Sequence, residues 1–303
     1  MIEKRLFSLL IFISCSISAQ INGVVKDSLS GKPIPYVNIW VENENIGSTS
    51  EENGSFSLDA KQEKMLIFSA LGYETKKISS TNKAIILKPI AYELREIVLE
   101  RPKFSKEIKV GNYESSGFRI GLVNINSAVL FNIGNELLQY PFLKEIKFQT
   151  KSDIEDAKIR IKFLNLNSDN SPGISLLEKE IIVVVKNGKN ENIVDLKKYK
   201  FKIPIEGFFI SFEKLLIDDN KYFYEFSYKN KEGKKITAKQ MSIEPELCFV
   251  PEDKDIVWQS LINGKWTKTK KHFLKNPKSY ENLLMRKYHD KYLVPSMKIT
   301  LTN

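Results

Sequence analysis

Between residues 21 and 87, apolar side chains recur at alternate positions in short runs cut by glycine, proline and an Asn-Gly pair. A period of two puts neighbouring side chains on opposite faces, so it specifies strands rather than amphipathic helices. Ile21-Asn22-Gly23-Val24-Val25-Lys26-Asp27 alternates and stops at Ser28-Leu29-Ser30-Gly31-Lys32-Pro33. Residues 35–41 place Tyr36, Asn38 and Trp40 on one face and Val37, Ile39 and Val41 on the other. Asn53-Gly54 fits a type I′ hairpin turn, because both residues tolerate positive φ, with residues 55–58 as the returning strand. Residues 65–70 form a continuous apolar run, the pattern of a strand buried on both faces. Gly72-Tyr73 then turns the chain, and residues 75–78 and 84–87 complete the set. Short strands at regular spacing without a helix predict an immunoglobulin-like β-sandwich.

The first nineteen residues have a different character. Lys4 and Arg5 precede an apolar run over residues 6–13, and Ile17-Ser18-Ala19 gives a small-residue exit before Gln20. This is the anatomy of a signal peptide over residues 1–19 cleaved between Ala19 and Gln20, and its apolar run is too short to span a bilayer. Phe12-Ile13-Ser14-Cys15 also loosely resembles a lipoprotein cleavage box, in which case Cys15 carries a lipid anchor. No later segment has eighteen uninterrupted apolar residues, so no transmembrane helix is expected after signal removal. Beyond the signal only Cys248 remains, which leaves no intramolecular disulfide, and its setting Leu247-Cys248-Phe249-Val250 reads as a packed thiol.

The net charge of +10 comes mostly from lysines scattered along the chain. Scattered lysine beside abundant asparagine and isoleucine reads as compositional drift, and an exported chain rarely meets nucleic acid, so no nucleic-acid partner is expected.

Several motifs of the first segment are familiar in order. Gly23-Val24-Val25-Lys26-Asp27, Gly31-Lys32-Pro33-Ile34-Pro35-Tyr36-Val37-Asn38-Ile39, Gly47 with Gly54-Ser55-Phe56, Leu71-Gly72-Tyr73 and Leu94-Arg95-Glu96-Ile97-Val98-Leu99 resemble the carboxypeptidase-like regulatory domain. The resemblance covers residues 20–99 and implies a transthyretin-like fold without catalytic activity. It also implies an exported protein of a Gram-negative bacterium, since such domains often precede the plug and barrel of TonB-dependent outer-membrane receptors. Ser50-Glu51 stands where members usually carry Thr-Asp, a mild departure. At 303 residues the chain is too short for a plug and a barrel of roughly twenty strands. The closing segment has two readings, an edge or linker strand, or a docking strand (Leu94, Glu96, Ile97, Val98) that pairs with a partner's sheet. Residues 100–103, charged and broken by Pro102, read as a linker.

Residues 104–303 are again strand-rich. Residues 157–163 alternate basic and apolar side chains, which predicts one wet and one buried face. Residues 180–185 read as a core strand, 207–213 and 222–228 as aromatic strands, and 294–301 as the closing strand. The expected architecture is all-β, the immunoglobulin/transthyretin-like sandwich followed by a second antiparallel β-sandwich of jelly-roll type. One helix is expected, capped by Asn276 with Pro277 at its first position and Tyr280, Leu283, Leu284 and Tyr288 at helical spacing. Pro172-Gly173-Ile174-Ser175-Leu176-Leu177, Val194-Asp195-Leu196 with Tyr199, and Pro204 with Gly207-Phe208-Phe209 resemble a sandwich that follows the regulatory domain in other exported proteins, with no activity attached.

Motifs that carry chemistry are sparse. His272 and His289 lack the paired His and Glu spacing of a zinc peptidase, so neither a metal nor a cofactor is expected. No Gly-x-Ser-x-Gly elbow and no glycine-rich phosphate loop occurs. Asp218-Asp219 reads as a turn before Asn220, and a glycosidase-like carboxylate pair on distant strands leaves no spacing to recognise. Trp258 and Trp266 flank Asn263-Gly264 as a hairpin, with Lys265 and Lys268 beside them. Their two readings are packing in the core and a platform that stacks on sugar rings.

The expectation is therefore an exported, non-catalytic protein of the cell envelope, in the periplasm, at the outer membrane or on the cell surface. It acts as an accessory, binding or assembly module whose partner is an envelope protein. A cell-surface glycan held by the Trp258/Trp266 hairpin is the alternative, and a glycosidase on the second sandwich ranks third.

Overall fold

The computed structural model describes residues 20–60, 63–90, 102–114, 118–119, 126–132, 134–275 and 285–303. The expected signal segment with Cys15 and Ala19, the segment Leu94, Glu96, Ile97 and Val98, and residues 276–284 of the expected helix lie outside the described residues. The chain divides into two compact units, residues 1–90 and 91–303. No α-helix occurs among the described residues.

The first unit contains β1 (Gln20–Asp27), β2 (Asn38–Val41), β3 (Gly47–Thr49), β4 (Ser55–Asp59), β5 (Met65–Ser69), β6 (Lys76–Ser79) and β7 (Ala84–Leu87). They form two sheets, ordered β4-β1-β7 and β3-β2-β5-β6. Pairing is antiparallel except between β1 and β7, which run parallel. The alternation read from the sequence now has its cause, because Val37, Ile39 and Val41 are buried with Val25, Phe56, Leu58, Leu66, Phe68, Ile85 and Leu87 in one core. Phe56 and Phe68 meet edge to face across the layers, with centroids 5.5 Å apart.

Three local expectations are corrected here. The second strand begins at Asn38 rather than at residue 35, because Tyr36 takes a φ of +55° and turns the chain. Ser50 fixes that turn by accepting the Val37 N–H at 2.8 Å and donating to the Ile34 carbonyl at 3.0 Å. Asn53-Gly54 is not a type I′ hairpin: only Gly54 has positive φ, at +75°, and β4 pairs with β1 instead of β3. The turn therefore carries the chain from one sheet to the other, held by Asn53 Oδ1, which accepts the Ser55 N–H at 2.9 Å. Finally, β5 is buried on one face only, with Leu66 and Phe68 inside and Met65 exposed, because its sheet meets the core on a single side.

The second unit contains β8 (Glu107–Val110), β9 (Asn126–Phe131), β10 (Phe142–Ser152), β11 (Ala157–Leu166), β12 (Pro172–Ser175), β13 (Ile181–Val185), β14 (Gly188–Asp195) and β15 (Phe208–Lys214). It continues with β16 (Lys221–Lys229), β17 (Lys235–Ile243), β18 (Glu246–Leu247), β19 (Phe249–Glu252), β20 (Val257–Ser260), β21 (Trp266–Lys268), β22 (Tyr292–Pro295) and β23 (Met297–Thr302). A five-stranded sheet runs β14-β10-β23-β8 with β18 also on β10, and a seven-stranded sheet runs β12-β11-β15-β9-β20-β21 with β13 also on β11. Two pairs stand apart, β16-β17 and β19-β22. Pairing is antiparallel throughout this unit, and the chain crosses between the large sheets at β8 to β9, β10 to β11, β13 to β14 and β14 to β15. Ile146, Phe148, Ile299 and Leu301 from the smaller sheet pack against Ile159, Ile161, Phe163, Phe208, Ile210 and Phe212 from the larger.

Here too the structure departs from expectation. The basic face of β11 is not wet, since Arg160 is only 1% exposed. Carboxylates contributed by other segments neutralise it, as described below. The apolar run before residue 185 is an edge strand rather than a core strand, and Val184 is 54% exposed. The aromatic segment at 222–228 joins neither large sheet. Of the expected helix, the described part is a 3-10 turn over Arg286–Tyr288 that buries Tyr288.

Candidate functional site

Trp258 and Trp266 lie on the paired strands β20 and β21, in a register that sets Trp258 opposite Lys268 and Ser260 opposite Trp266. All four therefore share one face of the seven-stranded sheet, the face turned away from the main core. Gly264, with φ +71°, closes the turn, and Asn263 Oδ1 accepts the Lys265 N–H at 3.1 Å. Both indoles are half-buried against Ala128, Leu164 and Phe209, a small apolar cluster on that face. Lys268 Nζ stands 5.7 Å from the Trp258 ring centroid and 2.8 Å from Asp255 Oδ2. Lys265 is exposed. The rings pack, but on this outer cluster rather than in the main core.

Along the same face, β11 and β15 bring a charged cluster together. Arg160 Nε lies 3.2 Å from Glu180 Oε2, Arg160 Nη1 3.3 Å from Glu213 Oε2, and Lys162 Nζ 2.9 Å from the same Glu213 oxygen. Burial pushes the Glu213 carboxyl up, but Lys162 and Arg160 outweigh it and hold the group below the usual carboxylate range. Lys158 completes the row by pairing with Asp219 at 2.8 Å. Asp218-Asp219 forms a 3-10 turn ending at buried Asn220, whose Oδ1 accepts the Lys158 N–H at 2.8 Å.

A second group of carboxylates surrounds the Glu244-Pro245 segment. Arg119 Nη1 contacts Glu246 at 3.2 Å and Asp153 at 3.3 Å. Burial raises the Glu244 carboxyl, which accepts a hydrogen bond from Ser242 Oγ at 2.7 Å. Burial also lowers Lys214, whose Nζ donates to the Ile243 carbonyl at 2.9 Å. Glu246 is thus committed to an ion pair and Glu244 is a buried, weakly acidic carboxyl. Cys248 is buried close by, and burial pushes its thiol up, away from the reactive thiolate form. His289 Nδ1 accepts the Leu274 N–H at 3.0 Å, and His272 bridges to Lys291 through its backbone. A cavity of about 280 Å³ opens among Gly111, Asn112, Asn132, Glu252, Lys254 and Met297. It falls just short of the usual size of small-molecule pockets.

One surface escaped the sequence reading. On β16, Tyr222, Tyr224, Phe226 and Tyr228 share a face, with successive ring centroids 5.8, 6.3 and 5.9 Å apart. Their alternation was legible as a strand, but the absence of apolar positions between them except Phe223 was the signal of a hairpin open to solvent. In the first unit, Asp27 Oδ1 accepts the N–H groups of Leu29 at 2.8 Å and Ser30 at 2.6 Å.

Residues 21–99 match the CarboxypepD_reg-like domain family. The TonB-dependent receptor P3 of Formosa agariphila is 32% identical over 105 residues, which is 32% of this chain and 10% of the receptor. The TonB-dependent receptor SusC of Bacteroides thetaiotaomicron is 31% identical over 93 residues, 29% of this chain and 9% of the receptor. The chain thus aligns with about a tenth of the length of these relatives. Among solved structures, a clostridial cysteine protease after propeptide cleavage covers 89% of this chain and 65% of its own, at 10% identity and a TM-score of 0.36. A likeness at that level does not relate the two folds.

Proposed function

We propose, for a chain whose residues 21–99 form a CarboxypepD_reg-like domain, that it is an exported, non-catalytic protein of a Gram-negative cell envelope and acts by contact. The observation that carries this reading is the match of the first unit to a domain found in TonB-dependent receptors. The second unit is in keeping with it where its charges pair, Arg160 and Lys162 with Glu213 and Arg119 with Glu246, while buried Glu244 is held by Ser242 Oγ. In this reading the first unit is a rigid docking or spacer domain, and the second sandwich presents the surface that an envelope protein recognises.

A glycan-binding reading stands second. It is favoured by the half-buried Trp258 and Trp266 sharing a sheet face with Lys268, an arrangement that leaves part of each ring for a sugar. The two separate in one experiment, a pull-down with the tagged full chain from envelope extract beside a glycan array. Recovery of one stable protein partner, with an empty array, supports the contact reading. Sugar hits that Trp266→Ala abolishes replace it with the second.

A further inference from the structure

We propose that the β16–β17 hairpin is an interfacial anchor for an anionic lipid surface. The inference deepens the contact reading above and rests on it for the presence of a membrane nearby.

The hairpin pairs nine residues with nine, from Lys221↔Ile243 to Lys229↔Lys235, and no third strand joins it among the described residues. At about 3.3 Å per residue it is roughly 30 Å long. Its base is fixed: Ile243 is buried and the Glu244 N–H donates to the Asn220 carbonyl at 2.8 Å. On the tyrosine face, exposure grows toward the turn. Tyr222 and Tyr224 are half-buried, whereas Phe226 is 39% and Tyr228 48% exposed. Phe223 projects on the opposite face and is 70% exposed.

The turn itself is ordered and cationic. Asn230 Oδ1 accepts the N–H groups of Glu232 at 3.1 Å and Lys234 at 2.9 Å, and Gly233 supplies a φ of +78°. Lys229, Lys231, Lys234 and Lys235 stand there against Glu232 alone, four positive charges less one negative, a net +3. That charge disfavours a second copy of the same hairpin as occupant and favours an anionic one. Exposed rings next to that charge then discriminate among anionic partners, since Phe226 and Tyr228 share one face beside the turn. A tip that pairs exposed rings with lysines suits the boundary between headgroups and acyl chains. Tyrosine rings with their hydroxyls suit that boundary, phenylalanine suits its apolar side, and lysines reach the phosphates.

The test is co-sedimentation of the full chain with phosphatidylcholine vesicles, with and without about one third phosphatidylglycerol. The expected result is binding to the anionic vesicles that weakens with salt. The double variant Lys231→Gln/Lys234→Gln should weaken it roughly 30-fold. Phe226→Ser/Tyr228→Ser should abolish the salt-resistant remainder, with both variants melting where the parent does. No binding, equal binding to neutral vesicles, binding unaffected by these variants, or capture by an acidic polysaccharide in place of vesicles overturns the proposal. The two ideas fail separately: vesicle binding without a protein partner removes the contact reading, and a protein partner without vesicle binding removes this one.

Discussion

The Tyr73 hydroxyl donates to Asp27 Oδ2 at 2.9 Å, tying the end of β1 to a turn 46 residues further along the chain. The other oxygen of the same carboxylate accepts the N–H groups of Ser30 and Leu29 and the Ser30 hydroxyl. The Ser30 amide is the foremost cause of an Asp27 pKa below the ordinary carboxylate range, and Tyr73 and Leu29 add to it against the effect of burial. A carboxyl with a depressed folded value contributes stability above its unfolded pKa, near 4, and loses it as the pH falls through the folded value. Asp27→Asn is therefore expected to lower the melting temperature of the first unit at pH 7. The gap to the parent should close as the pH drops below about 4. Tyr73→Phe should show a smaller loss. Thermal melts across that range, with hydrogen exchange at Val25 and Ile39 to report the unit, check both.

Gly54 sits at φ +75°, and a Cβ there would lie 2.7 Å from the Val25 carbonyl and 2.8 Å from Pro33 Cβ. Both contacts belong to well-packed neighbours, so relief requires a shift of β1. Gly54→Ala should cost about 1–3 kcal/mol, read as a lower denaturant midpoint with an unchanged slope.

Arg160 is the largest side chain among those fully buried, and it neutralises both Glu213 and Glu180. Arg160→Met should cost about 3–5 kcal/mol, because it leaves buried carboxylates short of a cation. Arg160→Met with Glu213→Leu should recover part of that loss. Acid should also weaken the parent's second unit: Glu213 has a depressed folded value, so its contribution is full above about pH 4.3 and is lost as the pH falls from there through the folded value. Denaturant titrations of the three proteins at pH 7 and near pH 3 test this.

Trp258 covers Ala128 and Phe209 on the outer face of its sheet, whereas Lys265 is exposed. Trp258→Ala should cost about 1–3 kcal/mol and Lys265→Ala less than about 0.5 kcal/mol. Equal, negligible effects would show that the indole is not packed as described.

Much of the first unit was legible because its signals are local. Val37, Ile39 and Val41 alternate with polar neighbours, and glycine marks the position that needs positive φ. What was not local was misread. Asn53-Gly54 promised a hairpin, yet β4 pairs with β1, Phe56 opposite Gly23 and Leu58 opposite Ile21, residues distant in sequence from the turn. The basic residues of β11 looked solvated, because no pattern within that strand reveals Glu213 on β15 or Glu180 ahead of β13. The aromatic alternation of β16 announced a strand but not its sheet. The tryptophan pair was found from its Asn-Gly turn, and its half-buried footing on Ala128, Leu164 and Phe209 is a tertiary fact.

The central claim concerns place and mode of action, and fractionation of Gram-negative cells expressing the tagged full chain tests it most directly. The account predicts that the chain is recovered with the envelope, processed to begin at Gln20 or anchored through Cys15. Intact chain in the cytosolic fraction, still carrying Met1, would contradict it.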